Sequence, residues 1–193
     1  MDITETRPMT IDPATFAQPV LTLARQLIGV TLLVDGVGGV IVETEAYDVD
    51  DPAAHSARGL SPRNAPMFGP VGHAYVYRIY GIHWCLNLVG DVRPGGAVLL
   101  RAIAPTHGIE TMAARRGLDA PRLLCSGPGR LAQALGVTGA LSGAPLDAAP
   151  FELIAGEPAG PIVEGTRIGI TKAAERPWRF GLAGSPFLSR PFK

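Results

Sequence analysis

The sequence predicts an α+β fold with a mostly antiparallel sheet, and three observations support that prediction. Short β-rich runs follow one another across tight or Gly-rich turns, which is typical of hairpins. Helical patterns are short, and few of them lie between consecutive strands, so parallel β-α-β units are not expected. The chain has 193 residues, 47% of them hydrophobic, enough to bury one core without disulfides or a structural metal. We therefore expect a single domain over residues 1–193.

The helical segments are marked by their start and stop residues. The first begins at Asp12-Pro13, which has the residue types of an N-cap and a first helical position. It restarts after Pro19 and ends before Gly29, a residue typical of the position just past a helix. Two further short helices are predicted, around 109–113 and 131–135.

The β-rich runs predict strands at 30–34, 40–45, 76–79, 84–89, 97–103, 151–154, 167–171 and 179–182. The Gly-rich stretch 35–39 joins the first two runs, and Tyr80-Gly81-Ile82 joins the third and fourth. Residues 48–72 are rich in Pro, Gly and Asp and show no periodicity. A loop of that length is uncommon in a compact domain unless it is functional.

Charge and cysteine content restrict the class of protein. Lys+Arg 17 balance Asp+Glu 17, so the basic excess of many nucleic-acid binders is missing, although basic residues can still gather on one face. Cys85 and Cys125 are too few for a disulfide scaffold and fit a reducing cytoplasm. Residues 1–12 are polar, lack the apolar part of a secretory signal and are expected to be flexible. No apolar run reaches about 18 residues, so no membrane partner is expected.

Most candidate functional side chains lie in or near the second and third predicted strands. Glu43 and Glu45 are two positions apart and point to the same face of a strand. Such a carboxylate can act as a general base or belong to a solvated strand face. His55 lies in the long loop, where a catalytic and a structural role are both open. The tyrosines can form a stacking platform for a nucleobase, or they are simply good strand formers; they are Tyr47, Tyr75, Tyr77 and Tyr80.

Several common kinds of site are not predicted. The acidic residues Asp48, Asp50 and Asp51, together with His55, match no zinc or EF-hand spacing, so no metal is expected. The sequence contains neither a G-x-x-x-x-G-K-[ST] phosphate loop nor a G-x-S-x-G nucleophile elbow. The signature of the nucleobase deaminases is also missing. We expect no cofactor.

Many short sequence blocks occur in a specific order. They are Glu43-Thr44-Glu45-Ala46-Tyr47, Ala53-Ala54-His55-Ser56, Pro62-Arg63-Asn64, Met67-Phe68, Tyr75-Val76-Tyr77-Arg78-Ile79-Tyr80-Gly81, Cys85-Leu86-Asn87, Val98-Leu99-Leu100-Arg101-Ala102 and Leu124-Cys125-Ser126-Gly127-Pro128. In this order, over 20–190, they resemble the alkyladenine (3-methyladenine, or methylpurine) DNA glycosylase family of the vertebrate type. The resemblance implies a compact domain with a curved antiparallel sheet and a protruding β-hairpin.

The resemblance also implies roles for individual residues. Glu45 is expected to activate the water that attacks C1′ of the damaged nucleotide, while Arg101 and the backbone carbonyl of Ile168 hold that water. Tyr80, at the hairpin tip, is expected to enter the gap left in the duplex. Asn87 is expected to crowd the 2-amino group of a normal guanine. The remaining members of the base-binding pocket are the aromatic residues Tyr47, His55 and Tyr77.

The sequence departs from the vertebrate pattern in two places. His83 stands where those proteins have a tyrosine that contributes to the minor-groove contact. The spacing of eight positions from Tyr47 to His55 is slightly shorter. The N-terminal extension of vertebrate members is also missing, so we expect a minimal bacterial version that is cytoplasmic and associated with the nucleoid.

The expected function is excision of alkylated or deaminated purines from double-stranded DNA by a monomeric enzyme, leaving an abasic site. The only lysines, Lys172 and Lys193, lie far along the chain from the Glu45 region. A water-using, monofunctional enzyme is therefore favoured over one that forms a Schiff base. Two alternatives stay open: a non-catalytic damage-recognition module, and a small-molecule hydrolase that uses Glu43 or Glu45 with His55. We expect position 43 to tolerate Gln much better than position 45.

Overall fold

The structure is a computed structural model, and it describes residues 10–192. Its sheet has eight strands: β1 (Thr31–Val34), β2 (Val37–Tyr47), β3 (Ala74–Ile79), β4 (His83–Val89), β5 (Ala97–His107), β6 (Phe151–Ile154), β7 (Ile162–Gly165) and β8 (Arg179–Leu182). The strand order is β3-β4-β5-β2-β1-β6, β8 pairs with both β2 and β7, and the pairings between these strands are antiparallel. The predicted α+β fold with a curved, mostly antiparallel sheet is confirmed.

The helices are short and cover the sheet. They are α1 (Val20–Gln26), α2 (Ile109–Arg116), α3 (Pro121–Leu124) and α4 (Pro128–Leu135), with 3-10 turns at Pro13–Ala17, His55–Arg58, Ala65–Phe68 and Gly139–Leu141. Helix α1 packs on β2 and β5, whereas α4 packs on β4 and β5. Asp12 caps the first turn as predicted, because its carboxylate accepts a bond from the Ala14 N–H at 2.9 Å. Helix α4 ends at Gly136, whose φ of 73° is left-handed.

Strand β2 is held on both edges and carries the two glutamates. One edge pairs with β5, and the other pairs first with β1 at Val37–Val40 and then with β8 at Glu43–Glu45. The ladder with β5 is irregular on both sides of Glu43, so the strand bends there. The Thr44 hydroxyl donates to the Ala24 carbonyl of α1 at 2.8 Å. Because strand side chains alternate, Glu43 and Glu45 face away from α1.

Two predicted features of the sheet differ in the structure. The prediction of a strand at 167–171 is wrong, because this segment forms bends. The strand that pairs with β8 is β7, which lies just before this segment in the chain. The reason is that Arg167 and Ile168 turn inward to bond with groups near β2 rather than with a neighbouring strand. The first hairpin is also tighter than predicted. Its turn consists of Asp35 and Gly36, whose φ values of 49° and 73° fit a two-residue hairpin loop.

The first described residues, 10–12, lie against the edge of the sheet. Residues 1–9, most of the segment predicted to be flexible, lie outside the described residues. Thr10 forms a bridge with Ile154, and the Ile11 N–H donates to the Leu153 carbonyl at 3.1 Å, so residues 10–12 are attached to β6. Within residues 10–192, no helix combines the length and apolar character that crossing a membrane would require.

Candidate active site

Glu45 lies on β2 with no exposed surface, with two hydrogen-bond donors and one ion-pair partner. The Ile168 N–H donates to its Oε1 at 2.7 Å, and the Tyr47 hydroxyl donates to its Oε2 at 2.9 Å. Arg101 on β5 places Nη1 3.3 Å from Oε1. Burial raises the pKa of the Glu45 carboxyl, an effect that Arg101, the Ile168 N–H and the Tyr47 hydroxyl partly oppose. A carboxylate with a raised pKa and several donors can hold and deprotonate a water molecule.

An aromatic cavity of about 300 Å³ opens beside Glu45. His55 and Tyr77 pack edge to face with ring centroids 4.4 Å apart, and Tyr75 and Tyr77 lie 5.6 Å apart. Burial raises the pKa of Tyr47 and of Tyr77, so both hydroxyls stay neutral. Arg167 stacks 4.7 Å from the Tyr47 ring centroid. The predicted pocket residues Tyr47, His55, Tyr77 and Asn87 all line this cavity.

The position of His55 is set by the loop between β2 and β3. The buried Asn64 side chain donates to the carbonyls of His55 and Gly59 at 2.8 and 2.9 Å, and its Oδ1 accepts from Ser61. The His55 Nδ1 lies 2.8 Å from the Tyr75 hydroxyl. Burial and the nearby Arg63 lower the pKa of His55, which favours the neutral ring. Burial raises the pKa of Tyr75 to about 12, so its hydroxyl keeps its proton and can donate to Nδ1; in that arrangement the ring proton of the neutral His55 is on Nε2.

Tyr80 and Asn87 lie at opposite ends of the β3–β4 hairpin. Tyr80 is at the tip, with φ 53°, and is 80% exposed. Ile82, two positions later, is 67% exposed. Asn87 is buried at the base, directly opposite Tyr75, and its Nδ2 donates to the Tyr75 carbonyl at 3.0 Å. A tyrosine that is largely exposed is not held by core packing, and Tyr80 also lines the aromatic cavity.

A second cavity, of about 390 Å³, is lined by other residues near Glu45. Two of its lining residues, Arg101 and Ile168, are contacts of Glu45 itself. The remaining charged or titratable lining residues are basic: His83, Arg116, Arg130 and Arg190. Although the whole chain has no net charge, positive side chains are therefore concentrated here. Glu45 thus contacts a lining residue of each cavity: Tyr47 of the aromatic one, and Arg101 and Ile168 of the basic one.

One of the interpretations drawn from sequence needs correction, and other residues were missed. Glu43 and Glu45 do not form a solvated strand face, since both are fully buried. Glu43 bonds to Arg101 and Arg179, so Gln at position 43 also weakens charge-assisted hydrogen bonds, and the greater tolerance expected there than at position 45 stays a prediction. Arg63 received no role from its sequence context, and it lies 5.8 Å from the Tyr77 ring centroid. The block Pro62-Arg63-Asn64 was the available signal for it.

A buried ion pair behind Tyr47 was also missed. Asp51 is fully buried and pairs with the buried Arg167, whose Nη2 lies 3.1 Å from Asp51 Oδ1. Arg167 also donates to the Ala46 carbonyl at 2.9 Å, next to Tyr47. A run of acidic residues in a loop is usually solvated, so the pattern at 48–51 did not reveal this pair. Within residues 10–192 no group of His, Cys, Asp and Glu is arranged to hold a metal ion.

The protein belongs to the class of DNA glycosylases, which are hydrolases that act on N-glycosyl bonds in the repair of damaged DNA. Residues 14–186 match the model of the Methylpurine-DNA glycosylase family, and the chain belongs to that family. The resemblance found in the sequence blocks is thereby confirmed.

Bacterial relatives extend the match over nearly the whole chain. A protein of Rhodopseudomonas palustris (strain HaA2) is 64% identical over 181 residues, which cover 92% of this chain and 89% of the relative. One of Nitrosospira multiformis is 60% identical over 181 residues, with 92% and 93% covered. One of Rhizobium meliloti (strain 1021) is 55% identical over 184 residues, with 95% and 98% covered. Each bears the name "Putative 3-methyladenine DNA glycosylase".

Proposed function

We propose that the enzyme flips alkylated or deaminated purines, 3-methyladenine among them, out of duplex DNA and hydrolyses the N-glycosidic bond with water activated by Glu45. The observation that carries this proposal is that the buried Glu45 contacts lining residues of two cavities of different chemistry, Tyr47 of the aromatic one and Arg101 of the basic one. A flipped nucleotide has a flat base at one end and an anionic phosphate at the other, joined through the sugar. With the base in the aromatic cavity and the phosphate among the arginines, C1′ would lie beside Glu45.

The aromatic cavity fits the chemistry of damaged purines. Purines alkylated at N3 or N7 carry a positive charge, and a cation over an aromatic face gains about 0.5–2 kcal/mol. Neutral lesions such as hypoxanthine need a hydrogen bond instead, and the His55 Nε2–H can donate one to the oxygen at position 6. The cationic bases are also better leaving groups, so selection does not depend on binding alone.

Hydrolysis follows from the contacts of Glu45. The ionised carboxylate accepts a proton from water and stabilises the positive charge that develops on the sugar, as in other glycosyl hydrolyses. Arg101 and the carbonyl of Ile168 hold that water in the proposed mechanism. Lys172 lines neither of the two cavities beside Glu45, which favours water over an amine as nucleophile. The protein acts as a monomer and without a cofactor in this proposal, in the cytoplasm of a bacterium.

Release of free base from methylated duplex DNA tests the proposal directly. The expected products are the methylated purine and an intact strand that carries an abasic site. Affinity for duplex DNA should fall steeply with salt, because arginines that contact phosphates displace counterions. Lesion binding without base release would instead indicate a damage-recognition module. No DNA binding at low salt would indicate a small-molecule hydrolase.

Replacing Tyr80 with Ala should weaken action on paired lesions more than on unpaired ones. The wedge matters only where a stack must be held open, and an unpaired base is cheaper to extrude. We expect about a tenfold greater loss of lesion excision in duplex than in single-stranded DNA, a difference of about 1.4 kcal/mol. Tyr80→Phe keeps the ring and should retain most of the activity. Equal losses on both substrates would contradict the wedge role.

Replacing Asn87 with Ser should relax discrimination against normal guanine. Guanine differs from hypoxanthine only by its 2-amino group, which a side chain at the base of the cavity can exclude. We expect the ratio of guanine to hypoxanthine excision, measured in single turnovers, to rise about tenfold or more. Release of methylated purine by the same variant should change little and serves as the control. An unchanged ratio would leave Asn87 with only its bond to the Tyr75 carbonyl.

A further inference from the structure

Glu43 is as deeply buried as Glu45 and accepts more hydrogen bonds. Its Oε1 accepts from Arg101 Nε at 3.0 Å, from Arg179 Nη1 at 3.2 Å and from the Ser189 hydroxyl at 2.7 Å. Its Oε2 accepts from the Ser189 N–H. Burying an ionised carboxylate is costly, and only a full set of charged donors offsets that cost. The donors come from β5, β8 and the C-terminal segment 185–192, so Glu43 joins three parts of the chain.

Arg101 connects Glu43 to the proposed general base. Its Nε bonds to Glu43, its Nη2 donates to the Ser189 hydroxyl at 3.2 Å, and its Nη1 lies 3.3 Å from Glu45 Oε1. Two of the three guanidinium nitrogens are therefore anchored, and the third faces the catalytic carboxylate. Because the guanidinium is planar and rigid, bonds to two of its nitrogens also fix the position of the third.

The C-terminal segment holds these anchors in place. Arg179 donates to the Arg190 and Pro191 carbonyls at 3.3 and 3.2 Å, and its guanidinium lies 3.8 Å from the Phe192 ring centroid. The chain that follows Ser189 is thus held by Arg179 through contacts that do not involve Glu45. The segment forms part of the wall of the arginine-lined cavity through Ser189 and Arg190.

We propose that Glu43, together with Ser189, is a positioning residue that fixes Arg101 for the reaction at Glu45. The inference rests on the proposed role of Glu45 in activating water. Without Glu43 the guanidinium keeps its charge but loses its principal anchor, and a displacement of about 1 Å at a reacting centre can cost about 100-fold in rate. Binding of the lesion, which depends on the aromatic cavity, should be little affected.

The test compares single-turnover excision from methylated duplex DNA with affinity for a duplex that carries a lesion analogue whose glycosidic bond resists hydrolysis. Glu43→Gln should lower the excision rate about 10- to 100-fold and change the affinity by less than about threefold. Glu164→Gln is the matched control, since Glu164 pairs with Arg25 on the surface and contacts neither cavity. It should excise at the wild-type rate.

A double-mutant cycle distinguishes positioning from a general loss of structure. If Glu43 acts through Arg101, adding Glu43→Gln to Arg101→Gln should lower the rate by less than about twofold beyond Arg101→Gln alone. A multiplicative loss would overturn the inference, and so would a Glu43→Gln variant that excises at the wild-type rate. Should Glu43→Gln fail to fold, Ser189→Ala provides the same test. It removes the bonds of the Ser189 hydroxyl to Glu43 and to Arg101, so we expect the excision rate to fall about 3- to 10-fold. An unchanged rate would overturn the inference.

Glu45→Gln, measured in the same assay, keeps the two proposals apart. Wild-type excision by Glu45→Gln contradicts the proposed role of Glu45 and also removes the basis for positioning by Glu43. Loss of excision by Glu45→Gln together with a wild-type rate for Glu43→Gln overturns only the role of Glu43. Loss in both variants, with Glu164→Gln unaffected, supports both.

Discussion

Glu45→Gln should retain lesion binding and lose base excision. The amide cannot accept a proton from water, and general-base catalysis typically contributes about 100- to 10,000-fold. We expect a loss of that size in single-turnover excision of methylated purines, with affinity close to that of the wild type for a lesion analogue whose glycosidic bond resists hydrolysis. The rate of the wild-type enzyme should also fall as the pH decreases through the raised pKa of Glu45, above the ordinary range of a glutamate. The variant should lack that pH dependence.

Stability measurements separate this loss of chemistry from a loss of fold. Because the pKa of Glu45 is raised on folding, its contribution to stability is present at low pH and is lost as the pH rises through the folded-state pKa. The ionised side chain therefore destabilises the protein at neutral pH, and Glu45→Gln should not lower its melting temperature there. Excision within about tenfold of the wild type would contradict the assignment of Glu45 as the base.

Asp51→Ala should be the most destabilising of the single substitutions considered. It would leave the Arg167 guanidinium buried without its carboxylate, and breaking one partner of a buried ion pair typically costs about 3–5 kcal/mol. For a domain of this size that loss corresponds to a melting temperature about 6–20 °C lower. Urea denaturation measures the free energy of unfolding, and the slope of that free energy against urea concentration should stay unchanged.

The neighbouring Asp50 supplies the control. Asp50 carries a side chain that is 74% exposed and pairs with Arg93 on the surface. Its replacement with Ala should change the free energy of unfolding by less than about 0.5 kcal/mol. A loss below about 1 kcal/mol in Asp51→Ala would mean that solvent reaches Arg167 and compensates for the missing carboxylate.

The elements that local pattern determines could be predicted from the sequence. The β3–β4 hairpin, the Asp12 cap and the end of α4 at Gly136 depend on turn residues and alternation within a few positions. The candidate pocket residues came from the family resemblance, and the structure brings Tyr47, His55, Tyr77 and Asn87 together around one cavity. Spacing along the sequence could not have predicted that these residues meet, since Tyr47 and Asn87 lie on different strands.

The contacts that could not be predicted join positions far apart in the chain. The burial of Glu43 depends on Arg179 and Ser189, more than 130 residues later. The segment at 167–171 has the composition of a strand, but tertiary bonds from Arg167 to Asp51 and from Ile168 to Glu45 override that local preference. A local sequence pattern does not indicate contacts between residues so far apart in the chain, and a charged residue in a strand is ordinarily solvated.

The pairing of β2 on both edges has a consequence for how the protein can move. Segments bonded on two sides open only when much of the fold opens, whereas hairpin tips and long loops open locally. The Glu45 carboxylate, the proposed general base, is therefore attached to a strand that resists local opening, while Tyr80 lies at a hairpin tip. Searching along a nucleic acid and adapting to its shape can then proceed at the periphery without disturbing the alignment of the reacting groups.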